Sequence, residues 1–171
     1  GGVRMYVNQA ATTGMNNGAD WANGYIDLQK AIANSLVGDQ IWVAKGNYSP
    51  GLLVTSYFTL KEGVKIYGGF AGTEEELVQR DSLAIRTVNE TILNGNNKSY
   101  HVVYNKVNLT AATVLDGFTI TAGRTAVGSY SEAYYGAGIY NALGKSIFRN
   151  LWIKNNNAYS YGAGIYNAGT G

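Results

Sequence analysis

The sequence predicts an all-β fold: a right-handed parallel β-helix, in which short strands stack coil upon coil, with an N-terminal capping α-helix. The main observation is an internal repeat, because the octapeptide Tyr-Gly-Ala-Gly-Ile-Tyr-Asn-Ala stands at residues 135–142 and again, unchanged, at 161–168. The second observation is a series of short apolar runs bounded by glycine or asparagine, which tolerate the backbone conformations of tight corners. A repeat of 26 residues fits a coil of two or three short strands.

The composition fits one β-rich domain of 171 residues, with 23 glycines, 14 tyrosines, one proline and only 14% charged residues. The net charge of +2 and the scattered lysines disfavour a nucleic-acid partner. No apolar run is long enough to span a membrane. The absence of cysteine excludes disulfides and thiolate metal sites.

Residues 1–40 are predicted to hold an N-terminal strand and the capping helix. Apolar side chains recur at helical spacing from about Asn23 to Ser35, and Gly38 follows as a stop signal. The end of a stack of coils exposes unpaired strand edges and an open core, so an amphipathic helix is expected to cover it. The recurring apolar positions are Tyr25, Leu28, Ala31, Ile32 and Leu36.

Residues 41–171 are predicted to form the coils. A second, weaker repeat supports this, because Leu115–Thr121 aligns with Phe148–Lys154 at an offset of 33 residues. The difference between the two offsets places a surface insertion at about Ala122–Tyr134. Since the chain stops soon after a repeat, the stack is expected to continue beyond Gly171. Earlier coils are assigned to the apolar runs at 41–43, 57–60, 64–67, 91–93 and 101–104.

Several polar residues are interpreted as structural. Asp116 and Arg149 occupy equivalent positions of adjacent coils, where opposite charges pair across a ladder. His101, the only histidine, precedes two valines in a strand-like run and is expected to be a residue of the coil wall. Thr73 and Glu76 form a capping-box pattern that predicts a short second helix.

A family likeness is carried by Gly38–Ala44, Gly46–Tyr48, Val64–Phe70 and Leu115–Ile120. These segments resemble secreted pectate-lyase-like β-helix proteins of the Bacteroidetes type. The octapeptide repeats, with Phe148–Asn150, are similar to the glycine-rich and F-x-x-N repeats of polymorphic outer-membrane proteins of the adhesin and autotransporter type. The resemblance implies a β-helix and a secreted or cell-surface location. It does not imply an activity, because lyases, hydrolases, adhesins and stalks share this architecture.

No catalytic residue is predicted for this chain. A polysaccharide lyase or hydrolase on a β-helix needs clustered carboxylates, for calcium binding or acid–base work, beside an arginine or lysine. The sequence offers no such cluster, and a single histidine cannot build a His-based metal site. No cofactor or metal is predicted, and calcium, although compatible with the fold, is not indicated by any residue pattern.

The aromatic loops are the predicted ligand-binding region. Loops on a rigid scaffold often carry function, and tyrosine rings stack on sugars or pack against protein partners. The alternative that these tyrosines only pack the bases of the loops stays open. The candidate binding residues, in or beside the insertion and the matching loop one coil later, are Arg124, Tyr130, Tyr134, Tyr135, Tyr159 and Tyr161.

The sequence as a whole favours a non-enzymatic β-helix module, secreted or at the cell surface. Such a module acts as a stalk or adhesin and contacts a polysaccharide or a surface protein through its loops, and its other expected contacts are further coils of the same chain. Two alternatives stay open. In one, the chain is the N-terminal part of a polysaccharide lyase or glycoside hydrolase whose active site lies downstream of Gly171. In the other, it is a segment of a purely structural filament.

Overall fold

Short strands dominate the fold. The computed structural model describes residues 2–126 and 131–169, and within them it has one α-helix, α1, at Leu28–Asn34. Two 3₁₀ turns lie at Leu77–Gln79 and Ser131–Tyr134. The strands are β1 (Arg4–Val7), β2 (Gln40–Ala44), β3 (Gly46–Tyr48), β4 (Lys65–Phe70), β5 (Thr91–Asn94), β6 (Val103–Asn105), β7 (Val114–Asp116), β8 (Thr119–Thr121), β9 (Ile139–Asn141), β10 (Ile147–Arg149), β11 (Trp152–Lys154) and β12 (Ile165–Asn167).

The strands form three parallel sheets, which the chain visits in turn. Sheet A has the order β1-β2-β4-β7-β10, sheet B the order β3-β5-β8-β11, and sheet C the order β6-β9-β12. From β4 onward the chain passes through A, B and C three times in succession. Consecutive strands therefore belong to different sheets, and each strand hydrogen-bonds to strands distant in sequence. The expectation of an all-β fold with parallel strands is confirmed.

The repeats found in the sequence lie side by side in register. Ile139 of the first octapeptide pairs with Ile165 of the second, in adjacent parallel strands. The weaker repeat behaves the same way, since β7 pairs with β10 and β8 pairs with β11 at the predicted offset. Both repeats therefore mark neighbouring strands, as their spacing predicted.

One apolar core joins the three sheets. Ile66 of sheet A, Ile120 of sheet B and Ile139 of sheet C are all buried and belong to the same cluster of apolar side chains. The burial of such side chains is the main favourable contribution to folding. The sheets therefore face a common interior, and their other faces carry the polar and aromatic side chains described below.

Helix α1 is shorter than the sequence predicted. It begins after Asp27, whose carboxylate accepts a hydrogen bond from the Gln29 amide at 2.9 Å and so caps the first turn. The residues assigned to an earlier turn are not helical, and Tyr25 among them instead forms a parallel bridge with Val7 of β1. Leu36, counted as part of the apolar face, lies beyond the helix and is exposed. Tertiary pairing with β1 thus displaced the local helical pattern.

The buried face of α1 packs on β1 and β2, at the first edge of sheet A. Its side chains Leu28, Ala31 and Ile32 join the common core. The helix therefore lies over the core beside β1 and β2.

The predicted capping box at 73–76 is wrong. The Glu74 carboxylate instead folds back and accepts hydrogen bonds from the three amides of residues 71–73, at 2.7 to 3.0 Å. These local bonds hold the segment in a turn and compete with helix formation. Only the 3₁₀ turn at Leu77–Gln79 follows.

Candidate binding site

Four of the predicted tyrosines lie together on the surface, and a fifth that was not predicted joins them. Tyr134 contacts Tyr159 with ring centroids 5.5 Å apart. Tyr135 stacks almost parallel to Tyr161, at 6.0 Å and an interplanar angle of 2°. It also stacks on Tyr166 at 4.8 Å. Tyr130 lies outside the described residues. Together these five rings form the tyrosine cluster, which consists of Tyr134, Tyr135, Tyr159, Tyr161 and Tyr166.

The repeat itself brings these rings together. Tyr135 and Tyr161 are the first residues of the two octapeptides, whose strands run side by side, so the rings fall one above the other. The 3₁₀ turn at Ser131–Tyr134 is tied to the segment before β12 by a hydrogen bond of 3.0 Å from the Ser160 amide to the Tyr134 carbonyl. The cluster is therefore fixed by backbone pairing on both of its sides.

A longer aromatic ladder, absent from the predicted site, extends from the cluster along sheet C. Its rings are Tyr166, Tyr140, Tyr104 and Tyr57, with successive centroid distances of 5.4, 5.2 and 4.8 Å. The register of β6, β9 and β12 aligns the first three of them. The signal was present in the sequence, since the pattern Val/Ile-Tyr-Asn occurs at 103–105, 139–141 and 165–167.

Ligand access differs sharply between the ladder and the tyrosine cluster. Tyr140 of the ladder, covered by neighbouring rings, is only 6% exposed, whereas Tyr159 and Tyr161 of the cluster are 63% and 71% exposed. The covered rings therefore stack on one another and stabilise sheet C. The exposed rings of the cluster are the ones that a ligand can reach.

A polar pair anchors the middle of the ladder. The Tyr104 hydroxyl donates a hydrogen bond to Glu132 Oε2, and Lys106 Nζ lies near Oε1, both at 2.6 Å. The hydrogen bonds from Lys106 and Tyr104 lower the pKa of Glu132 below its usual range. Because Glu132 belongs to the 3₁₀ turn at Ser131–Tyr134, these contacts hold that turn against sheet C.

Arg124 and Tyr159, both predicted, line one surface cavity of about 340 Å³. Arg124 forms a parallel bridge with Asn157, and its amide donates to the Ser99 carbonyl at 2.8 Å. The Tyr159 amide donates to Thr125 Oγ1 at 2.6 Å. Within residues 2–126 and 131–169, no carboxylate lies within ion-pair distance of Arg124. Its charge is therefore available to a ligand.

His101 is buried beside the ladder, just before β6, as a structural residue. Its Nδ1 lies 3.0 Å from the Gly136 carbonyl oxygen and donates to it, since a carbonyl can only accept. Its ring contacts Tyr104 and Tyr140 with centroids 4.9 and 5.2 Å apart. Burial lowers the pKa of His101 from 6.5 to about 4. The imidazole is therefore neutral at pH 7.

Acidification from pH 7 to pH 4 is expected to destabilise the protein by about 3 kcal/mol through His101. The unfolded chain takes up the proton near pH 6.5 and the folded one only near pH 4, so stability falls as the pH falls through this window. Urea unfolding at pH 7, 5.5 and 4 measures it. His101→Asn keeps a donor for Gly136 but has no proton to gain, so its stability should vary less with pH. An equal pH dependence in both proteins contradicts the assignment.

Asp116 is a structural charge and has no free oxygen to offer a substrate. Its Oδ1 accepts from Arg80 Nη2 at 3.1 Å and Asn150 Nδ2 at 2.9 Å, and Arg149 Nη2 lies 3.3 Å from Oδ2. The predicted pairing of Asp116 with Arg149 is confirmed. Arg80, which reaches the same carboxylate from the loop after β4, was not foreseen. A buried carboxylate with three donors is suited to holding β7 and β10 together.

Among residues 2–126 and 131–169, no group of three or more histidine, cysteine, aspartate or glutamate side chains is placed to hold a metal ion. In the same residues, no helix is long and apolar enough to cross a bilayer.

The comparisons with known proteins give one match. A family model described as "protein of unknown function (DUF1565)" matches residues 12–170. Neither the curated proteins nor the solved structures contain a match.

Proposed function

The chain belongs to the DUF1565 family, whose function is unknown, and we propose that it is a right-handed parallel β-helix acting as a stalk or adhesin. Two features support the fold. The chain passes through three parallel sheets in turn, and connections between parallel strands of one sheet are almost always right-handed. The likeness to secreted pectate-lyase-like proteins of the Bacteroidetes type and to polymorphic outer-membrane adhesins supports a secreted or cell-surface location.

In this proposal the module binds a carbohydrate chain at the exposed end of the tyrosine cluster. The exposure of Tyr159 and Tyr161, the first of which lines the cavity with Arg124, is the observation that carries it. Sugar rings have an apolar C–H face that stacks on an aromatic ring, and two exposed rings of one cluster offer such surfaces. Aromatic side chains on a rigid scaffold lose little conformational freedom when they bind.

The chemistry of the cavity favours a hydroxyl-rich ligand over an apolar one. Its lining combines the Tyr159 ring with the polar side chains of Arg124, Thr125 and Asn157. Ligand sites commonly pair an apolar surface with a few directed polar groups that fix orientation. The guanidinium of Arg124 supplies several N–H donors in a fixed geometry, which suits vicinal hydroxyl or carboxylate oxygens.

The test is retention of the protein in gels that contain soluble polysaccharides, neutral and acidic. The double variant Tyr159→Ala/Tyr161→Ala is expected to lower the affinity for a retained polysaccharide about tenfold or more, because two stacking rings are lost. Both rings are exposed, so the melting temperature should change little. The matched control is Trp152→Ala, which removes an exposed aromatic from sheet B and should leave retention unchanged.

Three outcomes decide against this proposal. Wild-type protein that no polysaccharide retains has no carbohydrate site of useful affinity. Equal losses in the double variant and in Trp152→Ala remove the tyrosine cluster as the site. Degradation of a retained polysaccharide, seen as new reducing or unsaturated ends, would contradict the role of stalk or adhesin and favour the alternative that the protein is an enzyme.

A further inference from the structure

The contact between β9 and β12 is a contact between two identical peptides. The two octapeptides pair in parallel, with hydrogen bonds from the Ile139 amide to the Gly164 carbonyl at 2.8 Å and from the Gly138 amide to the Ala163 carbonyl at 3.0 Å. Along the same line, Asn141 Nδ2 donates to Asn167 Oδ1 at 3.0 Å. The sequence Tyr-Gly-Ala-Gly-Ile-Tyr-Asn-Ala is therefore complementary to a copy of itself lying beside it in parallel.

Burial differs between the two copies. Ile139 is fully buried, whereas Ile165, the same residue of the second copy, is 43% exposed. Asn141 is buried and Asn167 is exposed. Because the sequences are identical, the difference comes from position: β9 has a neighbour on each side in sheet C, and β12 has only β9 among the described residues. The edge of β12 that faces away from β9 presents the same backbone groups and side chains that β9 presents to β12.

Gly164 is suited to a neighbour that the described residues do not supply. At Gly138 a Cβ would lie 2.4 Å from the Gly164 carbonyl oxygen, so the covering strand requires glycine there. At Gly164 a Cβ would meet only Ile153 Cγ2, at an ordinary 3.5 Å. Nothing in the described structure therefore requires glycine at 164. A further strand that contacted Gly164 in the way that β12 contacts Gly138 would require glycine at position 164.

The opposite end of the fold is closed. The outer edge of β1 is occupied by hydrogen bonds from the Tyr6 amide to the Gly18 carbonyl and from the Tyr25 amide to the Tyr6 carbonyl, at 3.0 and 2.9 Å. Helix α1 covers the core beside it. Head-to-tail growth, in which β12 of one copy meets β1 of the next, has no free edge on the β1 side. The partner of β12 must bring its own strand.

We infer that the edge of β12 that faces away from β9 binds, in parallel register, an extended strand with the pattern of the chain's own octapeptide. Its small residues let the backbones approach, its isoleucine covers Ile165, its second tyrosine continues the ladder beyond Tyr166, and its asparagine bonds to Asn167. This is strand addition at a sheet edge, with the backbone supplying affinity and alternate side chains supplying specificity. The inference depends on the coil stacking of the proposed fold but not on carbohydrate binding.

The test uses a synthetic Tyr-Gly-Ala-Gly-Ile-Tyr-Asn-Ala peptide, with two added lysines for solubility, titrated into isotopically labelled protein. We expect amide shifts centred on 162–168 and none at β1. A scrambled peptide with the same lysines should cause no such shifts. Gly164→Ala should weaken peptide binding about tenfold or more, because its methyl group meets the incoming carbonyl. Before the peptide is added, this variant should be as stable as wild type.

Equal affinity of the octapeptide for wild type and Gly164→Ala overturns the inference, as does equal binding of the scrambled peptide. An absence of shifts at millimolar octapeptide overturns it too. None of these results affects the tyrosine cluster, since polysaccharide retention is measured without peptide. Retention lost while the peptide still binds would instead remove the proposed function and leave this inference standing.

Discussion

Replacing Gly138 with alanine is expected to destabilise the protein by about 3 kcal/mol, although it adds one methyl group. The new Cβ would lie 2.4 Å from the Gly164 carbonyl oxygen and 3.0 Å from Asn156 Nδ2. The carbonyl cannot simply move away, because it accepts the 2.8 Å hydrogen bond from the Ile139 amide that holds β9 and β12 in register. Urea unfolding of the variant beside wild type measures the loss.

Gly164→Ala is the matched control for this prediction. It makes the same change at the same position of the second octapeptide, where the Cβ has room, and stability should stay within about 0.5 kcal/mol of wild type. Similar losses at the two glycines would mean that the second octapeptide does not lie on the first. A tolerated Gly138→Ala would contradict the close approach of the two backbones.

Replacing Asp116 with alanine is the second change with a large expected effect, a loss of about 3 kcal/mol or more. The Asp116 side chain is 4% exposed and that of Arg80 is 12% exposed, so removal of the carboxylate leaves a guanidinium that water can hardly reach. Asn150 loses its acceptor as well. The free energy of unfolding, from urea titration at pH 7, is the measurement.

Arg149→Ala provides the contrast, because it removes the other charged partner of the same carboxylate. The Arg149 side chain is 52% exposed, and exposed ion pairs contribute little, so its loss should cost less than about 1 kcal/mol. A cost for Asp116→Ala no greater than that of Arg149→Ala would mean that the carboxylate is solvated and that Arg80 is not bound to it.

The sequence predicted the sheet pairing well where a repeat was present. Two offsets of 26 and 33 residues were enough to place β9 beside β12 and β7 beside β10, because strands that stack in parallel at a fixed register must repeat their side-chain pattern. The pairing of Asp116 with Arg149 followed from the same offset. A repeat in the sequence therefore predicts contacts directly when the repeated segments pair as neighbouring strands in register.

Features without periodicity were predicted poorly. The first turn of the expected helix does not form because Tyr25 pairs with Val7, a tertiary contact that no local pattern records. The contact between Arg80 and Asp116 joins a loop to a strand 36 residues away, and no repeat relates the two. The Glu74 side chain bonds to its own turn, an arrangement that competes with the capping box the sequence suggested.

The sequence predicted most of the residues of the candidate site but not the arrangement of their rings. The insertion and its matching loop indicated Tyr134, Tyr135, Tyr159 and Tyr161, and these rings do meet. Their division into covered and exposed rings depends on the neighbouring strands and could not be obtained from spacing alone. The continuation of the ladder through sheet C could have been found, since three Val/Ile-Tyr-Asn tripeptides mark it.

The stacking of successive coils in parallel register is tested most directly by engineered disulfides, since the chain has no cysteine of its own. Thr121 and Lys154 are register partners in adjacent strands, about 4.8 Å apart, within disulfide reach. Asn94 is the register partner of Thr121 on its other side, so it lies two strands from Lys154, about 10 Å away. We predict that Thr121→Cys/Lys154→Cys closes an intramolecular disulfide under mild oxidation and that Asn94→Cys/Lys154→Cys does not. Equal closure of both pairs, or closure of the second alone, would contradict the stacked register.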